Sequence, residues 1–160
     1  MSYYTGSCLL NLGQHQSSIV QLNECITLNH KYSPSAYLLI AINFKLLKNV
    51  KQAIRVLEEG AGVFPNSEEV LFYKGKLQMR VGQAREAVEC FMQCLKANPH
   101  NELATLFLGD SLKASGSPEL AQHHYTALCR RGKQHRNVAA LRLAGLYVEG
   151  QKWEPALKTL

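Results

Sequence analysis

Five small residues recur along the chain at an almost constant interval: Ser18, Ala53, Ala87, Ala121 and Ala156, separated by 35, 34, 34 and 35 positions. Self-similarity of this length demands one supersecondary unit, repeated and stacked, and so constrains the fold more than composition does. Other series drift with the same period. Gly13, Lys48, Gly82, Gly116 and Gln151 precede the small residue by about five positions. Leu22, Leu57, Phe91, Tyr125 and Leu160 follow it by four. His30, Pro65, Pro99 and Lys133 mark the ends of the repeats.

Each repeat reads as a pair of helices. In the third, Val70, Leu71, Lys74, Gly75, Leu77 and Gln78 have the spacing of one helical face, and Gly82 stops the helix. Ala87, Val88, Phe91, Cys94 and Leu95 then give a second face, ended by Asn98-Pro99. Gly75 and Ala87 let two helices approach closely, and Phe91 fills the space beside them. The pairs predicted along the chain are 2–12 with 15–29, 34–47 with 50–63, 68–81 with 84–97, 102–115 with 118–132, and 137–149 with 153–160. Pro34, Pro118 and Pro155 fall in first turns, where proline is tolerated, and Ser33, Ser67 and Ser117 are expected at or near N-caps. No strand pattern of useful length is present.

These registers resemble the tetratricopeptide repeat over essentially the whole chain. That family places Trp, Leu, Gly and Tyr on a first helix, Ala, Phe and Ala on a second, and Pro at the end. The third repeat supplies Gly75, Ala87, Phe91 and Pro99; the fourth supplies Leu108, Gly109, Ala121 and Tyr125. The second has Tyr37, Phe44, Ala53, Leu57 and Pro65; the fifth has Leu143, Tyr147, Trp153 and Ala156. The first fits least well, with Gly6, Gly13 and Leu22 but Ser18 in place of alanine. The resemblance implies an all-α fold: a right-handed superhelical array of antiparallel helix pairs, about four and a half repeats, over 1–32, 34–67, 68–101, 102–135 and an incomplete 137–160. Pentatricopeptide repeats have a similar period but carry polar base-reading positions, where this chain has Leu38, Phe72 and Leu106.

In the tetratricopeptide family the first helices line a concave groove. The corresponding residues here are Leu38, Ile42, Lys45, Phe72, Lys76, Met79, Leu106, Asp110 and Lys113, with Tyr3, Ser7, Leu141 and Glu149 towards the ends. Apolar groups interspersed with lysines suit a partner helix or extended peptide with apolar anchors and some acidic residues. Co-chaperone members clamp a C-terminal carboxylate with Lys, Asn and Arg. The matching positions here are Tyr3, Ser7, Leu39, Glu69 and Tyr73, and shifting the register by a repeat does not restore the clamp. An Hsp70 or Hsp90 tail is therefore not the expected partner.

Net charge is +6, from 18 basic against 12 acidic residues. Arg130, Arg131, Lys133, Arg136 and Arg142 supply most of it over an acid-free stretch, so the remainder is near neutral. The cluster Arg130, Arg131, Lys133 and Arg136 could grip phosphate, which makes a nucleic-acid-associated repeat the second reading. The plainer one is a solvated turn whose arginines complement a helix C-terminus. Aromatic interleaving, whose stacking favours single-strand binding, is missing.

Five cysteines and no signal peptide fit reduced thiols in a cytoplasmic or nuclear protein, and the family resemblance adds a ciliary one. Cys25 and Cys94 take the small buried position, and Cys8 and Cys90 are expected on packed helix surfaces, so no metal site is predicted. No cofactor loop, catalytic constellation or membrane span is expected either. The chain ends four residues past Ala156, with nothing to cap the last repeat. It therefore reads as a segment of a longer solenoid, or one whose end frays or self-associates beyond Glu149. The expected function is a non-enzymatic interaction scaffold or adaptor within a multiprotein complex.

Overall fold

Glycine and proline punctuate the chain into short helices. The computed structural model describes residues 2–150. Among them are nine helices and no strand: α1 (Ser2–Asn11), α2 (His15–Leu28), α3 (Pro34–Leu46), α4 (Val50–Val63), α5 (Glu68–Arg80), α6 (Ala84–Ala97), α7 (Glu102–Ala114), α8 (Pro118–Arg131) and α9 (Arg136–Glu149). The bounds lie within one residue of those expected from spacing. The predicted helix 153–160, with Trp153, Pro155, Ala156 and Leu160, lies outside the described residues, as does the expectation about the chain's end.

The Gly13 series has a specific physical basis. Gly13, Gly82 and Gly116 take φ of +75°, +82° and +89°, and Lys48 takes +60° at the equivalent turn. Each holds the left-handed conformation at the end of a helix, which costs a non-glycine residue about 1–2 kcal/mol, and Gly13, Lys48 and Gly116 lie between helices that pack on each other. Ser33 and Ser67 cap α3 and α5 by accepting from the Ser35 and Val70 amides. Ser117 holds the N-cap position of α8, as expected, without a side-chain cap bond. Asn49 and Asn101, which spacing did not single out, cap α4 and α7.

The chain divides after Gly82 into two compact units. In the first, each helix packs on the next, and α3 also touches α1 and α5. One core cluster holds Ala41, Ala53, Ile54, Leu57, Val70 and Leu77; another joins Ile19, Leu22 and Ile40. A Cβ on Gly6 would lie 2.6 Å from Leu22 Cγ, so glycine is what lets α1 and α2 meet. In the second unit α6, α7, α8 and α9 pack in succession. Phe91 stacks on Phe107 at 5.7 Å, and the ring of Tyr125, fully buried, lies against the Cα of Gly109.

Ser18 departs from alanine for a reason the structure makes plain. It is fully buried, and its hydroxyl donates to the Gly6 carbonyl at 2.7 Å. Asn43 Nδ2, also buried, donates to Ser18 Oγ and to the Leu39 carbonyl, both at 2.9 Å. Asn43 Oδ1 lies 3.0 Å from His15 Nδ1. A buried polar group is tolerated only when satisfied, and here α1, α2 and α3 satisfy one another.

Candidate protein-binding surfaces

Within the first unit, α1, α3 and α5 lie side by side and carry the first part of the family-implied groove set. Leu38, Ile42, Lys45, Phe72, Lys76 and Met79 are all partly exposed, as are Tyr3 and Ser7. Leu38 and Tyr3 also lean on the core clusters beneath. Lys45 Nζ sits 5.8 Å from the Tyr73 ring centroid, and Lys76 Nζ sits 5.6 Å from that of Phe72. Cation–π contact at this range holds each lysine stem along an aromatic face. The surface is apolar at its base with ammonium groups held above it. Neither α1 nor α3 contains an acid; the acids of α5, Glu68 and Glu69, lie in its first turn.

In the second unit the corresponding residues have internal occupations. Leu106 is buried, 5% exposed. Asp110 Oδ1 accepts from Tyr125 Oη at 2.7 Å and from Arg142 Nε at 3.0 Å, tying α7 to α8 and α9. Burial, and then this bond to Asp110, push the Tyr125 phenol well above its usual range. Lys113 Nζ pairs with Glu149 Oε1 at 2.7 Å. The two ends of that pair are exposed, so its worth to stability is small. Leu141 is exposed on α9.

The basic stretch runs from the last turn of α8 into the start of α9, and Arg130, Arg131, Lys133 and Arg136 are all exposed. Its conformation is held by Glu102, at the start of α7. Glu102 Oε1 accepts from the Lys133 amide at 2.6 Å, and Oε2 accepts from the Gln134 and His135 amides at 3.0 and 2.9 Å. His135 Nδ1, buried and without a hydrogen bond, lies 3.4 Å from Oε2. Sequence spacing gave no sign of this carboxylate's role, because its partners are more than 30 positions away. The amides of Lys133 and His135 lead in holding the Glu102 carboxyl down to about 2 from its usual 4.5. A carboxyl depressed by folding adds stability above its unfolded pKa, and that stability is lost as pH falls through the folded value. The urea midpoint of the wild type should therefore exceed that of Glu102→Gln above pH ~5, with the gap closing between pH ~4.5 and ~2. A gap independent of pH would assign the effect to packing.

Cys25, Cys90 and Cys94 are buried and Cys129 is half-buried, but Cys8 is exposed and not part of a packed surface as expected. Among the described residues no three His, Cys, Asp or Glu side chains group as metal ligands do, and no helix is long and apolar enough to cross a membrane.

Helices repeated at a 34–35-residue period and packed in succession within each unit, closely at Gly6 in the first and Gly109 in the second, define the class of helical-hairpin repeat scaffolds. Comparison narrows the class. A tetratricopeptide repeat profile matches residues 68–101. Tetratricopeptide repeat protein 8 of Caenorhabditis elegans is 25% identical over 125 residues, covering 78% of this chain and 24% of that protein. Tetratricopeptide repeat protein 7A of Homo sapiens is 33% identical over 75 residues, covering 47% of this chain and 9% of that protein. The chain thus matches only a quarter or less of these relatives' lengths. Among solved structures, MamA from Desulfovibrio magneticus superposes with a TM-score of 0.85 at 16% identity, covering 99% of this chain and 88% of its own. YrrB, a tetratricopeptide repeat protein with an unusual peptide-binding site, gives 0.83 at 14%, covering 99% and 80%. Residues 68–101 thus match a tetratricopeptide repeat, and most of the chain is similar to tetratricopeptide repeat proteins. Its fold is that of a protein–protein interaction scaffold, and proteins of this fold are generally not enzymes.

Proposed function

We propose that the face formed by α1, α3 and α5 receives a helix or extended peptide of another protein, and that the chain acts as an adaptor segment of a larger subunit in a cytoplasmic multiprotein complex. The observation that carries this reading is the strip Leu38, Ile42, Phe72 and Met79, partly exposed, with Lys45 and Lys76 held over aromatic rings beside it. Apolar side chains of a partner would fill the strip, and its carboxylates would meet the two ammonium groups. The peptide-binding site described for YrrB supports peptide capture by this kind of hairpin stack. Leu106, Asp110 and Lys113 belong to the same family-implied set, but their burial and internal pairing leave the proposal resting on the first unit.

Crosslinking and mass spectrometry would identify a partner, whose purified form can then be titrated against variants. Phe72→Ala with Lys76→Glu should weaken binding by about tenfold or more, as loss of an anchor and reversal of a charge each cost on the order of 1 kcal/mol or more. Helicity should be unchanged. Equal affinity for the wild type and the double variant would overturn the assignment to this face.

A further inference from the structure

The basic stretch was singled out by its charge, but its setting in the second unit is more informative. It forms one rim of a cleft of about 700 Å³, a volume typical of ligand pockets. Leu95, Pro99 and Leu128 supply apolar lining, while Arg131 and Lys133 stand among the lining residues as cationic side chains. This cleft is built by the end of α6, the start of α7 and the end of α8, so it is separate from the α1–α3–α5 face.

The electrostatic balance favours an anion. The lining contains one carboxylate, Glu102, and its oxygens already take three backbone amides at the start of α9. The positive end of the α9 dipole, roughly half a charge, offsets it further. Carbonyls at the α8 C-terminus oppose a bound anion by about the same amount. Two full cations therefore remain dominant, with Arg130 and Arg136 exposed just outside the lining. His100 and His124 also line the cleft, and burial holds His124 below its usual range, which leaves it a neutral hydrogen-bonding group at neutral pH. A nucleic-acid strand would want a basic track with aromatic platforms, and no Phe, Tyr or Trp lines this cleft.

We propose that this cleft is a second docking site, which takes an acidic peptide segment with an apolar side chain seated between α6 and α8 and its carboxylates on Arg131 and Lys133. An apolar floor beneath a cationic rim recognises both features at once, whereas a solvated turn would recognise neither. The site would let one chain hold two segments, one on each unit.

The test is fluorescence anisotropy of the whole chain with a short fluorescein-labelled peptide of leucines embedded among glutamates. Saturable binding is expected, and it should weaken when the leucines become serines. Arg131→Ala with Lys133→Ala should weaken it about tenfold or more, since two charge-assisted contacts are lost. Ala127→Trp, which fills the cleft, should abolish it. Arg130→Ala with Arg136→Ala, outside the lining, should change it by less than about twofold. Phe72→Ala should leave it untouched, which separates this site from the first-unit face. If Ala127→Trp lowers helicity, the two charge variants and the serine peptide decide the matter. The proposal is overturned if the peptide does not bind, if the serine peptide binds equally, or if all four basic residues contribute alike. It is also overturned if single-stranded oligouridylate binds more tightly, with a steep salt dependence.

Discussion

Gly109→Val is expected to destabilise the second unit by about 3 kcal/mol, at the upper end of the cost of overpacking a core. Intrinsic helix propensity points the other way: replacing a mid-helix glycine gains up to about 1 kcal/mol when alanine replaces it, and less for valine. Geometry decides the sign. Any Cβ at Gly109 would press into Cε1 of Tyr125, with Cζ at 2.9 Å and Cδ1 at 3.0 Å. The ring cannot give way cheaply, because it is fully buried and its hydroxyl is held by Asp110 at 2.7 Å. Even Gly109→Ala should therefore destabilise in spite of its propensity gain. Tyr125→Leu should rescue Gly109→Ala in part, because the double variant reproduces the second repeat, where Ala41 and Leu57 share one core cluster. Urea unfolding of the two single variants and the double variant measures this directly. Additive losses would show that the glycine is there for another reason.

Asn43→Asp should be comparably severe in the first unit, at about 3–5 kcal/mol, the usual cost of leaving a buried charge uncompensated. Asn43 Nδ2 now donates to Ser18 Oγ and to the Leu39 carbonyl. A carboxylate would turn an acceptor towards that carbonyl, which has no proton to offer. His15 lies 3.0 Å from the other side-chain atom and could compensate only by charging. Ser18→Ala should cost less, about 1–2 kcal/mol, since Asn43 keeps its bond to Leu39. Hydrogen exchange would localise either loss to α1, α2 and α3. A neutral Asn43→Asp variant at pH 7 would mean that water reaches this network.

The helices and turns were legible because their causes are local. Gly82 and Gly116 stop helices wherever they occur, since the left-handed turn they make depends on their own backbone. The positions of Ala53, Ala87 and Ala121, all fully buried, follow from a helical face repeated at one period. The basic stretch was equally visible as composition. Its pairing with an apolar cleft was not, because Leu95 of α6 and Leu128 of α8 line one cleft only once α6, α7 and α8 have packed in succession.

Ser18 shows the limit from the other side. By spacing it is a poor alanine, but by packing it is the centre of a buried hydrogen-bond network reaching Gly6 and Asn43, 12 and 25 positions away. Leu106 and Asp110 carry the groove register yet are taken up by the core and by Tyr125 and Arg142. Glu102 resembles any first-turn acid until its three amide partners are known. The sequence by itself therefore determined the repeat, its helices and its turns, because backbone preference and amphipathic period act within a few residues. Tertiary structure alone decided which polar groups are buried and satisfied, and which of the charges in the groove register are taken up inside the fold. Those outcomes depend on contacts between helices, which a periodic sequence orders but does not specify atom by atom.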